Sequence, residues 1–157
     1  MKNLNNNTII ISVFGGRETR DEEYTLAEEL GKEIAKNNWV LLCGGRMGVM
    51  EAVSKGCSEA GGTVIGILPG IDSSDANPYV QIPIATGIGL ARNEIVACAC
   101  HVAVAVGGRY GTLSEIGHAL QYGKPVVSLR SWDIEGVMKA DDVPATIKYI
   151  KEKLNEG

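Results

Sequence analysis

Aromatic residues are scarce in this sequence, and its charge balance is slightly acidic. One phenylalanine, two tryptophans and five tyrosines are its only aromatic residues, and the formal net charge is -4 at pH 7. Binding to nucleic acid relies on basic contacts to phosphates and, for single strands, on aromatic side chains that stack on the bases. We therefore expect no nucleic-acid partner.

Long apolar runs are also missing, and the cysteines form no recognisable pattern. No segment approaches the roughly 20 apolar residues of a membrane helix, and residues 1–7 do not resemble a signal peptide. The four cysteines show no C-x-x-C pair and no ligand spacing with either histidine, so neither a disulfide framework nor a zinc site is indicated. The sequence predicts a cytoplasmic protein with free thiols, no metal site and no membrane partner.

What the sequence does contain is a regular alternation of strand and helix patterns. Short apolar runs rich in β-branched residues predict strands at residues 8–14, 39–43, 63–68, 81–84, 102–106 and 126–129. Segments of helical period lie between them, around residues 26–34 and at 49–60, 89–100 and 112–122, and a last helix is predicted from residue 142. The pattern predicts one α/β domain over residues 1–157, with a flexible start at 1–7 and a doubly wound, mainly parallel sheet flanked by helices.

Three Gly-Gly-Arg triplets each follow a predicted strand. Loop 1 is Gly15-Gly16-Arg17, loop 2 is Gly44-Gly45-Arg46 followed by Met47-Gly48, and loop 3 is Gly107-Gly108-Arg109 followed by Tyr110-Gly111-Thr112. Glycines let backbone N–H groups approach an anion, and the helix start that follows adds positive partial charge. Because parallel strands end at one sheet edge, the loops predict a site for a phosphate-bearing small molecule. The alternative is that the glycines only permit tight turns and the arginines are solvated.

Glu115 has two interpretations. Thr112-Leu113-Ser114-Glu115 fits a capping box, in which the threonine and glutamate side chains satisfy N–H groups at a helix start. A glutamate beside a phosphate pocket is also suited to act as a functional acid. The sequence leaves both interpretations open.

Residues 43–51, 61–70, 91–93 and 107–115 resemble the SLOG superfamily of Rossmann-like proteins, and the likeness covers roughly residues 8–130. Within it, the segments GGRMGVMEA, IGILPG, ANPY and ARN look most like molybdenum-cofactor carrier proteins. Better-known relatives are the Lonely Guy type phosphoribohydrolases, often mislabelled lysine decarboxylases, which release a free base from a nucleoside monophosphate. By this resemblance, their P-G-G-x-G-T-x-x-E motif falls on residues 106–115, and their catalytic arginine and glutamate fall on Arg92 and Glu115. Val106 replaces the motif's proline, and Asn93 replaces the lysine that follows the arginine.

The resemblance leaves the choice between a binding protein and an enzyme open. The first hypothesis is a carrier that binds a nucleotide or the molybdenum cofactor, with no cofactor required for a reaction. The second is a nucleoside 5'-monophosphate N-glycosidase, in which Arg92 orients the substrate and Glu115 stabilises the ribosyl cation or activates water. Single-stranded DNA binding, as in DNA-processing members of the superfamily, is the least favoured. The resemblance also implies a homo-oligomer, a dimer or a tetramer.

Overall fold

Strands and helices alternate through residues 7–156, the part of the chain that the computed structural model describes. The predicted flexible start lies, apart from Asn7, outside these residues. The strands are β1 (Ile10–Gly15), β2 (Val40–Cys43), β3 (Thr63–Leu68), β4 (Ile82–Ala85), β5 (Val102–Val106), β6 (Val126–Leu129) and β7 (Met138–Ala140). The α-helices are α1 (Asp21–Lys36), α2 (Val49–Glu59), α3 (Arg92–Cys98), α4 (Tyr110–Gln121) and α5 (Val143–Glu156).

The strands form one parallel sheet in the order β4-β3-β2-β1-β5-β6-β7. Successive strands are added outward from β1 to β4, and the chain then crosses to the other side of β1 to form β5. The order therefore reverses between β1 and β5, and ligands of such sheets bind outside the carboxyl ends of the strands at that point. The predicted doubly wound α/β fold is confirmed.

Helices cover both faces of the sheet, which explains the apolar strands. Helices α1, α2 and α5 pack on one face and α3 and α4 on the other. In β5, the valines at 102, 104 and 106 belong to the first core and the alanines at 103 and 105 to the second. Both faces are buried, so the strand has no polar side and no alternation of polar with apolar residues.

The structure differs from the sequence prediction at three elements. Strand β7 was not predicted, because two of its three residues are exposed and the segment has no apolar pattern. The helix predicted over 89–100 is a 3-10 turn at Gly89–Ala91 followed by the short α3. Helix α4 begins at Tyr110, two residues before its predicted start, which alters the interpretation of Glu115. No helix within residues 7–156 has both the length and the apolar character needed to cross a membrane.

Candidate functional site

A cavity of about 550 Å³ lies at the carboxyl ends of β1 and β5, where the strand order reverses. Loops 1 and 3 form two of its walls, and the starts of α2, α3 and α4 contribute the rest. The lining residues are Gly15, Gly16, Arg17, Glu18, Met47, Met50, Leu90, Arg92, Asn93, Arg109, Gly111, Thr112 and Glu115. The volume falls within the range of roughly 300–1,000 Å³ that small-molecule sites occupy.

The structure brings together most of the residues that the sequence singled out. Nine of them line the cavity: Gly15, Gly16, Arg17, Met47, Arg92, Arg109, Gly111, Thr112 and Glu115. The others lie in the same loops but do not line it: Gly44, Gly45, Arg46, Gly48, Gly107, Gly108 and Tyr110. Four lining residues were not predicted, namely Glu18, Met50, Leu90 and Asn93. Asn93 was singled out only as a departure from the phosphoribohydrolase pattern.

Loop 3 turns sharply at two glycines. Gly107 and Gly108 have φ of 52° and 87°, in the left-handed region, and a Cβ at Gly108 would overlap the side chain of Thr112. The turn delivers the chain directly into α4, whose start carries no side-chain cap. Among residues 7–156, the backbone N–H groups of residues 108–112 find no hydrogen-bond acceptor. Successive free N–H groups at a helix start suit an anion.

The capping-box interpretation of Thr112 and Glu115 is wrong. Because α4 begins at Tyr110 with Arg109 at its N-cap, Thr112 lies within the first turn and Glu115 in the second. The Thr112 hydroxyl is buried and has no hydrogen-bond partner in the described part of the chain. A buried hydroxyl without a partner is costly, so this oxygen is available to a ligand.

Arg92 opens α3 and is only 7% exposed. One of its terminal nitrogens donates to Asn93 Oδ1, whereas its Nε is buried without a partner within residues 7–156. Its side chain passes beside loop 2, where a Cβ at Gly44 would lie 2.9 Å from Nη2. Burial lowers the pKa of Arg92, and the positive charges of Arg46 and Arg17 act in the same direction. Arginine nevertheless stays charged in proteins, so the cavity holds a desolvated cation.

Glu115 lines the same cavity as Arg92 and is only 6% exposed. Burial raises its pKa from the ordinary 4.5 to about 8, and the charge of Arg92 opposes this only in part. Within the described residues, its carboxyl group makes neither a hydrogen bond nor an ion pair shorter than 4.0 Å. At neutral pH the group therefore carries a proton and serves as a hydrogen-bond donor.

The three loops contribute one further arginine each. Arg17 and Arg109 are exposed and line the cavity, whereas Arg46 in loop 2 is half-buried and does not line it. None of the three, nor Arg92, forms an ion pair with a carboxylate among residues 7–156. Uncompensated cations around a concave surface raise the local concentration of anions.

Loop 2 is held by a buried asparagine that the sequence prediction did not select. The backbone N–H of Asn77 donates to the carbonyl of Gly45 over 2.8 Å, and its Nδ2 donates to that of Arg46 over 2.8 Å. Asn77 is 5% exposed and belongs to the ANPY segment. That segment was noted for its resemblance, but nothing in its local pattern linked it to loop 2.

Loop 3 also departs from the phosphoribohydrolase motif in its spacing. The motif P-G-G-x-G-T has one residue between its second and third glycines, whereas this chain has two, Arg109 and Tyr110, between Gly108 and Gly111. The assignment of a nine-position motif to residues 106–115 therefore includes a one-residue insertion. The insertion lies at the N-cap and first position of α4.

Solved structures similar to this chain include two proteins associated with the molybdenum cofactor. The molybdenum cofactor binding protein from Rippkaea orientalis is 37% identical with a TM-score of 0.90, and covers 96% of this chain and 99% of its own. The molybdenum cofactor carrier protein from Chlamydomonas reinhardtii is 42% identical with a TM-score of 0.88, and covers 94% and 99%. A DNA processing protein A from Helicobacter pylori, with a TM-score of 0.69, is only 18% identical, so that likeness concerns the fold alone.

The chain also resembles an enzyme over part of its length. It is 31% identical over 90 residues to a cytokinin riboside 5'-monophosphate phosphoribohydrolase from Rhodococcoides fascians, a match that covers 57% of this chain and 41% of the enzyme. The profile of the SLOG cluster4 family matches residues 8–155, nearly the whole described chain. By this match the chain belongs to the SLOG cluster4 family.

Proposed function

We propose that this protein binds the molybdenum cofactor, or a closely related phosphate-bearing pterin or nucleotide, as a carrier. The observation that carries the proposal is a pair of buried polar atoms, Arg92 Nε and Thr112 Oγ1, that have no partner among residues 7–156. They lie in a cavity that is also lined by Arg17 and Arg109, neither of which forms an ion pair within these residues. Buried polar groups in folded proteins nearly always have partners, so such groups point to a ligand. The similarity to two proteins associated with this cofactor supports its identity.

The residues present fit such a ligand. Loop 3 and the start of α4 offer free N–H groups and the Thr112 hydroxyl to a phosphate, and Arg17 and Arg109 offer countercharge. Protonated Glu115 donates to an oxygen or ring nitrogen of the ligand, while Met47 and Met50 supply an apolar wall for a flat ring. No charged carboxylate is needed to neutralise the arginines once the anion is bound.

The test is recovery of bound pterin. The protein is expressed in a host that synthesises the molybdenum cofactor, purified, and oxidised so that any pterin becomes fluorescent. We expect pterin in proportion to protein, reduced at least tenfold in the double variant Arg17→Gln, Arg109→Gln. The matched control is Lys36→Gln, which changes an exposed cation that pairs with Glu33 away from the cavity. Wild-type protein free of pterin from a producing host contradicts this ligand.

An N-glycosidase acting on nucleoside 5'-monophosphates is the second candidate, and the state of Glu115 favours it. A buried carboxyl with a pKa of about 8 is a suitable general acid at neutral pH. It would donate its proton to the leaving nitrogen of the base as the C–N bond breaks. Water would then add to the ribose carbon and give its proton to the Glu115 carboxylate, which restores the acid. Arg92 would orient the phosphoribosyl group.

The two candidates are separated by incubating the protein with a panel of nucleoside monophosphates and following the free base by chromatography. Base released by wild type but not by Glu115→Gln supports the enzyme, provided that calorimetry shows equal binding of the substrate. No release, with binding retained in both proteins, supports the carrier. Release by Glu115→Gln at the wild-type rate contradicts the catalytic role of Glu115.

The homo-oligomer and the cytoplasmic location expected from the sequence are part of this proposal. Exposed apolar side chains on the edge strand β4 and the turn after it support self-association: Ile82, Ile84, Ile88 and Leu90 are 45%, 44%, 49% and 80% exposed. Leu90 also lines the cavity, so a second copy placed there would narrow the entrance. Sedimentation equilibrium should give a dimer or tetramer for wild type and a smaller species for Ile84→Lys.

A further inference from the structure

Two side chains from the segment after β6 bind the backbone of loop 3. The Ser131 hydroxyl donates to the carbonyl oxygen of Gly107 over 2.5 Å, and the Trp132 indole Nε1 donates to that of Arg109 over 3.0 Å. Arg130, with φ of 55°, turns the chain between β6 and these two residues. The sequence prediction of the site did not include this segment.

The two bonded carbonyl groups fix the direction of two free N–H groups. At Arg109, whose carbonyl also accepts from the Leu113 N–H over 3.0 Å, the Trp132 bond acts together with the first hydrogen bond of α4. In a trans peptide unit the C=O group and the following N–H point in opposite directions. No cis peptide bond occurs within residues 7–156. The carbonyls of Gly107 and Arg109 thus share their peptide units with the N–H groups of Gly108 and Tyr110. Both N–H groups belong to the run 108–112 that lacks acceptors.

We propose that Ser131 and Trp132 are positioning residues for the phosphate of the cavity's ligand. Their bonds hold the turn of loop 3 that leads into Gly111 and Thr112, which line the cavity and offer their free N–H groups to that phosphate. The inference rests on the proposed function. Gly107 and Gly108 give loop 3 wide backbone freedom, and two bonds from a separate strand connection remove it before the ligand arrives. Donors held in place bind an anion without the cost of ordering the loop.

Each of the two hydrogen bonds to loop 3 can be removed by a single substitution that changes little else. Ser131→Ala removes the hydroxyl, and Trp132→Phe removes the indole N–H while keeping a ring beside Tyr110, whose centroid lies 6.4 Å from that of Trp132. The matched controls lie away from the loop. Ser12→Ala removes a hydroxyl that donates to the carbonyl of Val96 over 2.6 Å, and Trp39→Phe changes the other tryptophan, in the core.

The affinity for inorganic phosphate and for adenosine 5'-monophosphate is measured by calorimetry, together with thermal unfolding. We expect Ser131→Ala and Trp132→Phe each to weaken binding about fivefold, and the double variant at least tenfold, as for the loss of one or two modest hydrogen bonds. The controls should lower the unfolding temperature without changing affinity. Unchanged affinity in both Ser131→Ala and Trp132→Phe overturns the inference.

The orientation itself is read on the ligand-free protein from residual dipolar couplings of the Gly108 and Arg109 N–H bonds, which precede α4. We expect wild-type couplings that fit one fixed loop, and averaged couplings in the double variant. Identical couplings in both proteins overturn the inference. A wild-type protein that binds neither anion contradicts the proposed phosphate site instead, and the couplings still decide whether Ser131 and Trp132 fix the loop.

Discussion

Glu115 keeps a pKa of about 8 although the guanidinium of Arg92 lines the same cavity. A nearby cation favours the charged carboxylate, but here the desolvation of Glu115 has the larger effect. The two groups do not approach within ion-pair distance among the described residues. A cation and a neutral acid are therefore both directed at the cavity rather than at each other. Such an arrangement is suited to a ligand that carries an anionic group and a hydrogen-bond acceptor.

The raised pKa of Glu115 predicts a specific dependence of stability on pH. The folded-state pKa of about 8 lies above the ordinary value of 4.5, so between these values the folded chain holds a proton that the unfolded chain has lost. The contribution of this group to stability is therefore complete below pH 4.5 and is lost as the pH rises to about 8. We expect the wild-type free energy of unfolding to fall relative to Glu115→Gln by up to about 1.4 kcal/mol per pH unit in this window.

The measurement is urea unfolding of both proteins at several pH values. Other titrating groups are common to the two proteins and cancel in the difference. The difference should level off above about pH 8, where both folded and unfolded chains have lost the proton. A difference that does not change between pH 5 and 8 would show that the folded-state pKa of Glu115 is ordinary.

Arg92 is predicted to serve binding at the expense of stability. Arg92→Met removes a buried charge whose Nε lacks a partner within residues 7–156, together with the one bond to Asn93 Oδ1. We expect the ligand-free protein to be as stable as wild type or more stable. Phosphate affinity should fall by about 10- to 100-fold, the effect of losing a charged hydrogen bond. The pKa of Glu115 should also rise above its wild-type value, because the neighbouring cation is gone.

Urea unfolding and calorimetric titration with phosphate check this prediction, with Lys36→Met as the control. Lys36 is an exposed cation in the last turn of α1 that pairs with Glu33, so its replacement should change neither quantity appreciably. Strong destabilisation by Arg92→Met with normal phosphate affinity would make Arg92 a structural residue.

The fold was predictable because its signals are local and repeated. Strands buried on both faces must be apolar throughout, as β5 is, and the helices carry one apolar side each. Strand β7 was not predicted because it is an edge strand, held mainly by backbone pairing to β6. Such pairing does not require apolar side chains, so the sequence shows no strand pattern there. The pairing partner, rather than the sequence Met138–Ala140, makes it a strand.

The site could be predicted from two signals, the coincidence of glycine and arginine in the loops and the resemblance that singled out Arg92 and Glu115. The three loops could be recognised because each follows a strand, and the topology brings residues of all three to one cavity. Leu90 and Asn77 reach the site from segments with no such signal. The capping box failed for a physical reason: the positive φ values of Gly107 and Gly108 complete the turn early, so the helix starts before Thr112.

Thr112→Val should separate ligand binding from stability. Valine keeps the branched shape and removes a buried hydroxyl that has no partner, so the free energy of unfolding should be unchanged or rise by about 1 kcal/mol. Phosphate affinity should fall about tenfold.

Thr146→Val is the matched control, since Thr146 is equally buried but its hydroxyl donates to the carbonyl of Asp142 over 2.9 Å. It should lose about 1 kcal/mol of stability and bind phosphate normally. If Thr112→Val instead lowers the free energy of unfolding and leaves phosphate affinity unchanged, the Thr112 hydroxyl stabilises the fold and does not bind the ligand.

Gly108→Ala should damage the site more than an equivalent change elsewhere. Gly108 and Gly123 have similar φ values of 87° and 70°, so alanine meets comparable backbone strain at both, about 1 kcal/mol. At Gly123 a Cβ has no atom within 4 Å, whereas at Gly108 it overlaps the side chain of Thr112. Gly108→Ala should therefore cost at least about 1 kcal/mol more than Gly123→Ala in urea unfolding and displace the Thr112 hydroxyl.

The same substitution should weaken phosphate binding at least tenfold, because the free N–H groups of residues 108–112 move together with the Thr112 hydroxyl. Gly123→Ala should bind phosphate as wild type does. Equal losses in the two variants would mean that Gly108 supplies backbone freedom only and that its close contact with Thr112 plays no part in binding.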